Sequence, residues 1–438
     1  MYKSNKKFFF DSFFSSLPGF VSILLSLLSI PIYLKYGGTE EYGSYIFLHF
    51  LSFAGQIFNL GLGKISAITI AQDKSVDDCS WILLKKTFKN SLTIFLILLF
   101  FFIINKFYFF FSDYILLLSI LSIVVTIIFV TIEGVFQGKR LFAKLMLINL
   151  FFYGISLSVP PFLLIFYHSN FKTIFFISLI IKIAVIIFST FYLFRKKSIN
   201  FFLKKRSELN YNFDQKWFSI SSILGIAYDF ADKYLIKIFI GPVALAFYSI
   251  PQQLTGKLSI VSKGISAVLL PSVAFGKKKL LTKDLLLSLK IFIFIIPIII
   301  FLLFNLFDLF FSFWLKNNSN SEIINLAKIF SIVSWVSCMS HLIVTYYEGN
   351  GIIKKNTMIE LKFYPIFLSF LFIAVLNKNL LLITIVILLK EIFLFFLRSI
   401  TLSKEVLIIK YSYLMIAFAC FYLFYTIDVD IIKLFKDE

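Results

Sequence analysis

Apolar runs of about twenty residues follow one another along the whole chain, parted by short clusters of Lys, Asn, Gly and Pro. A helix of that length crosses the hydrocarbon of a bilayer. Backbone groups in lipid must bond within their own segment, which leaves helices or closed barrels. No alternating strand pattern recurs, so the runs predict helices. They fall at roughly 13–34, 44–71, 90–104, 114–136, 145–167 and 173–194. A second set lies at 217–240, 245–275, 285–311, 322–347, 357–376 and 380–400, and a last run at 406–427 reads as a thirteenth span. The expected fold class is all-α integral membrane, with 12–13 transmembrane helices in two parallel six-helix lobes. The lobes are expected at 1–200 and 201–404, with an extra span and tail at 405–438.

Composition agrees. Hydrophobic residues are 60% of the 438, and charged residues only 15%, against about a quarter in soluble domains. The net charge of +20 changes the picture only through its placement. Basic groups cluster in alternate loops: Lys3/Lys6/Lys7, Lys74/Lys85/Lys86/Lys89, Lys139/Arg140/Lys144, 195–216, 277–283, Lys354/Lys355 and Arg398/Lys404/Lys410. The opposite loops hold Lys35, Lys106, Lys172, Lys316, Lys378, Lys433 and Lys436. By the positive-inside rule the N-terminus is cytoplasmic, and nucleic acid is excluded as a partner. The three cysteines, Cys79, Cys338 and Cys420, show no metal or disulfide spacing, and Cys79 is expected in an accessible loop. The first run lacks a cleavage site and reads as an uncleaved span.

The two sets of runs repeat. GTEEYGSY from Gly38 matches GPVALAFY from Gly241, pairing Tyr45 with Tyr248, and the same offset pairs Gly61 with Gly264. EGVFQGKR from Glu133 matches EGNGIIKK from Glu348. An even number of spans per half makes the repeat parallel, about an axis along the membrane normal.

These residues resemble a known family. Gly38–Tyr45 with the following FLHFLSFAGQIFNLGLGKISAITIAQ is similar to the first-to-second helix region of polysaccharide flippases. Asp232, Lys233, Gly241, Tyr248 and Ser249 are similar to their seventh-to-eighth helix region, and the two Glu–Gly–basic corners to their fourth and tenth helix ends. The group is the O-antigen flippases (Wzx type) of the multidrug/oligosaccharidyl-lipid/polysaccharide (MOP) exporter superfamily, which also holds multidrug antiporters and the lipid II flippase. The resemblance implies a V-shaped bundle with a cationic cavity in the bacterial cytoplasmic (inner) membrane. It implies translocation of an undecaprenyl-pyrophosphate-linked oligosaccharide, such as an O-antigen or capsule repeat unit, by alternating access. A proton or sodium gradient is the implied drive, and no cofactor is implied. A multidrug antiporter or lipid II flippase is the alternative within the fold. A polysaccharide polymerase fits less well, because the loops are too short to hold an enzyme's acid and base groups.

Charges inside the spans mark the candidate site, since each costs a few kcal/mol at mid-membrane. Lys64, Lys257, Lys263 and Lys233 suit a diphosphate held between lobes. The competing reading is snorkelling, which applies most to Lys64 and Lys263. Asp229, Asp232 and Lys233 share a helix face, where Asp229 and Lys233 can pair one turn apart. Asp232, left without a full partner, is then the candidate coupling carboxylate, and a neutralised structural cluster is the alternative. Glu133 and Glu348, at helix ends, are expected as lobe-interface or gating contacts. His49 aligns with Gln252, and Lys182, Glu360 and Glu391 carry no assigned role.

Overall fold

The computed structural model describes residues 5–72, 76–108, 113–166, 171–195, 215–274, 278–315 and 321–402. All its regular elements are helical. The first half comprises α1 (Asn5–Tyr36), α2 (Thr39–Ala54), α3 (Leu62–Gln72), α4 (Val76–Tyr108), α5 (Asp113–Gly138), α6 (Phe142–Ile165) and α7 (Phe171–Phe194). The second comprises α8 (Gln215–Phe239), α9 (Pro242–Thr255), α10 (Ser259–Ala274), α11 (Lys278–Leu315), α12 (Ser321–Gly349), α13 (Ile353–Leu376) and α14 (Leu380–Leu402). α2 and α3 are two arms of one column, as are α9 and α10. Twelve columns therefore answer the twelve predicted runs one for one. The predicted thirteenth span and the cationic 195–216 loop lie almost wholly outside the described residues. Nine described helices are long and apolar enough to cross a membrane, or ten with the bent α2–α3 pair. α4 and α8, which carry charge along their length, are not among them.

Short connections alternate the columns between two faces. The face where α1 begins is called basal here, and the opposite face apical. Large apolar side chains such as Phe313, Leu309 and Phe188 point outward, as lipid-facing positions do. Lipid removes most of the hydrophobic drive for helix pairing, so small residues and internal polar contacts set the packing.

Glycines show where the repeat came from physically. Gly38 (φ 82) and Gly241 (φ 123) start α2 and α9 in conformations that a side chain disfavours. In the Glu–Gly corners the glycine lets the fourth column press on the second. A Cβ on Gly134 of α5 would lie 2.0 Å from the Gly63 carbonyl of α3, and one on Gly349 of α12 would lie 2.6 Å from Val273 of α10.

Gly61 and Gly264, paired by sequence offset, do different work. Gly61 (φ 73) follows left-handed Leu60 (φ 53) where α2 bends by 52° into α3 through the 3-10 turn Gly55–Asn59. Asn59 fastens that bend, donating to the Ile127 carbonyl and the Thr131 hydroxyl at 2.9 Å and accepting from Gly63 N at 2.9 Å. Gly264 is instead a packing glycine, seated against Ser12 and Ser16 of α1.

Candidate functional site

The halves touch at both faces. On the apical side α2 meets α9 so closely that a Cβ on Gly43 would lie 2.0 Å from the Pro242 carbonyl oxygen. Gln253 donates to the Tyr42 hydroxyl (3.4 Å) and Lys237 to the Ser44 hydroxyl (3.4 Å) beside it. On the basal side Gln72 donates to the Ala274 carbonyl (3.0 Å) and Gln137 to the Ala267 carbonyl (2.7 Å). There too the Lys64 ammonium reaches the Glu348 carboxylate across the halves at 2.5 Å. Lys64 thus stretches toward the basal face, as snorkelling predicts, but ends on a carboxylate of the other half.

Between these seals lie groups from both halves. Lys257, in the turn between α9 and α10, donates to the Ser22 hydroxyl of α1 at 2.9 Å. Lys263, on α10, is exposed and makes no hydrogen bond or ion pair among the described residues. It is nonetheless an electrostatic neighbour of Lys257, Glu133, Asp229 and His341. Its electrostatic neighbours thus belong to both halves. Asp229 is likewise exposed, with Lys390, Lys233, Glu391 and Lys263 as charged neighbours.

The acidic cluster of α8 corrects one expectation. Lys233 pairs with adjacent Asp232 at 3.1 Å and not with the carboxylate of Asp229, whose backbone carbonyl takes its other hydrogen bond at 2.6 Å. The cause lies on another helix. Tyr248 donates to Asp232 at 2.5 Å and Gln252 at 3.5 Å, which holds that carboxylate inward, where Lys233 is also buried. The Lys233 ammonium also lies 5.0 Å from the Phe50 ring centroid. Asp232 is therefore fully partnered, and Asp229 is the carboxylate with no hydrogen bond or ion pair among the described residues.

Deeper in the second half a buried network joins four helices. Arg398 of α14 pairs with Glu360 of α13 at 2.5 Å and donates to Asn356 (2.8 Å) and to Ser340 of α12. Asn356 donates to Glu360 at 2.9 Å, and Ser221 and Tyr228 of α8 also donate to Glu360. Lys390 and Glu391 of α14 form a further buried pair at 2.8 Å. None of these was assigned from sequence. Arg398 reads there as a loop charge, because it lies near a span end. Glu360 lies within an apolar run with its charged partner on another helix, while the adjacent Lys390 and Glu391 pair with each other on α14. Glu133 stays within the first half, accepting from Asn149 at 2.9 Å and from Tyr153. Among the described residues, Glu348 is the corner glutamate that pairs across the halves. Cys79, expected in an accessible loop, lies in the first turn of α4 with no accessible surface.

Neither a family model nor a curated protein matches the sequence. Solved structures do share the fold. An outward-facing multidrug resistance MATE family transporter of the MOP superfamily superposes with a TM-score of 0.65 at 15% identity, over 90% of this chain and 96% of that one. A MOP superfamily transporter from Pyrococcus furiosus, described as having a binding pocket of reverse polarity, gives 0.66 at 16% identity, over 90% and 95%. An inward-facing multidrug MATE transporter gives 0.62 at 15%, over 89% and 98%. The chain thus has the V-shaped, two-lobed, all-helical fold of the MATE transporters.

Proposed function

We propose that the protein is an alternating-access exporter that moves an anionic lipid-linked oligosaccharide, carried on a pyrophosphate, across the bacterial cytoplasmic membrane. The observation that supports this reading best is the pair Lys257 and Lys263. They are electrostatic neighbours in the cleft, and neither has a carboxylate partner among the described residues. Two such ammonium groups match the two phosphates of a diphosphate. The fold supplies the rocking halves, and its solved relatives are transporters. Asp229 is the proposed coupling carboxylate, holding a proton or sodium. The test is glycan export, normalised to protein in the membrane. Lys257→Ala and Lys263→Ala each lower export tenfold or more, about 1.4 kcal/mol of lost binding, while Lys257→Arg keeps part of it. Export at the normal rate by both alanine variants would refute the reading.

A second reading is export of cationic drugs; structures that share the fold include transporters described as multidrug resistance MATE family members. Asp229, a carboxylate with no ion pair among the described residues, favours it. Drug resistance that survives Lys257→Ala and falls in Asp229→Asn would select it.

A further inference from the structure

The sixth column of each half buries a lysine under an aromatic ring. In the second half Lys390 lies 5.2 Å from the Tyr228 ring centroid and 5.3 Å from that of Phe367. In the first half Lys182 of α7 lies 5.7 Å from the ring of Phe152. Phe152 and Phe367 are counterparts. Both belong to the fifth column of their half, and they stand as far apart in sequence as Glu133 and Glu348 do. Phe152 sits in a π-helical stretch, Leu150–Ile155, of a kind that recurs at functional sites.

The counter-charge is where the halves part company. Lys390 has Glu391. Lys182, 6% exposed, has no carboxylate and no hydrogen-bond acceptor among the described residues. Two buried groups in this region also lack hydrogen-bond partners among the described residues. One is Nε2 of His49 on α2, an electrostatic neighbour of Lys182. The other is Oγ of Ser178, one turn before Lys182 on the same face of α7. Phe175 lies on that face as well and packs edge-on against His49 with centroids 5.1 Å apart, so this face and α2 meet. Of the polar groups on the neighbouring helices, Tyr45 donates to the Leu157 carbonyl and Glu133 is held by Asn149 and Tyr153, while Asn149 Oδ1 is buried without a hydrogen-bond partner among the described residues.

An ammonium, an imidazole in its Nε2–H tautomer and a hydroxyl are all donors. A buried cation left uncompensated costs several kcal/mol. We propose that Lys182, His49 Nε2 and Ser178 Oγ hold a small monovalent inorganic anion of chloride type, which does for the first half what Glu391 does for the second. One lysine balances one negative charge, so a divalent oxyanion is disfavoured. The site is internal to the first half and separate from the Lys257–Lys263 cleft, and it does not depend on the substrate.

The experiment is thermal unfolding of the purified full-length protein in detergent, with chloride exchanged for gluconate at constant ionic strength. The melting temperature of the wild type rises saturably with chloride, and bromide substitutes for it. Lys182→Met removes the response. Ser178→Asp, which places a carboxylate one turn from Lys182, also removes it and melts in gluconate where the wild type melts in saturating chloride. Equal melting of the wild type in both salts overturns the proposal. So does a chloride response retained by either variant. If Lys182→Met fails to fold, the Ser178→Asp arm decides alone.

Discussion

A charge in a membrane helix is conspicuous in the sequence because of what it costs, and its partner is not. Asp229, Asp232 and Lys233 stand out in an apolar run for that reason. Helical spacing favours Asp229–Lys233, but Tyr248 and Gln252, one column away, draw Asp232 inward and the lysine with it. The two carboxylates therefore respond differently to neutralisation. Asp232→Asn leaves Lys233 buried without its counter-ion, a loss of about 3–5 kcal/mol. Its amount in the membrane falls, as quantitative immunoblotting would show. Asp229→Asn removes no described hydrogen bond or ion pair, so its level stays normal. Export by it loses dependence on the ion gradient, measured with and without an uncoupler. A normal level of Asp232→Asn, or full uncoupler sensitivity in Asp229→Asn, contradicts these assignments. The Arg398–Glu360–Asn356 network escaped the sequence for the same physical reason: it is spread over α8, α12, α13 and α14, and only Asn356 and Glu360 are joined by helical spacing.

At the scale of elements, most of the columns were legible because a helix that crosses lipid must present a continuous apolar length. The bend between α2 and α3 was not, since the run through residues 44–71 stays apolar across it. What makes the bend is local chemistry: left-handed Leu60 and Gly61, tied to α5 through Asn59. A side chain at Gly61 meets an unfavourable φ of 73 and the Phe218 carbonyl oxygen at 3.0 Å. Gly256, at the matching turn of the second half, has αR geometry, and a Cβ added there would have nothing within 4 Å. Gly61→Ala therefore loses about 1–2 kcal/mol, and Gly256→Ala loses little. Melting of the two variants in detergent checks the contrast, and equal stability would remove the strained bend from the account.

At the scale of the molecule, the sequence shows matched Glu–Gly–basic corners at Glu133 and Glu348, and Glu348 was expected at a lobe interface. Its partner Lys64 lies 284 positions away in the chain, in the other half, and only the folded arrangement joins them. If the pair fastens the basal side, Glu348→Gln opens that side, and spin labels placed across it move apart in pulsed dipolar spectra. The double charge swap Lys64→Glu with Glu348→Lys restores the short distance. An unchanged distance in Glu348→Gln assigns the closure to the Gln72 and Gln137 contacts instead. The apical seal is made otherwise, from backbone against backbone at Gly43 and Pro242 with neutral and single-lysine contacts around it. An ion pair with a 40% exposed lysine is screened by dissolved salt, whereas a van der Waals contact is not. The two gates thus answer to different properties of the surrounding fluid. Rising ionic strength on the basal side loosens the contact there and leaves the apical one shut, so dissolved salt alone would bias the population toward a basally open form without any regulatory ligand.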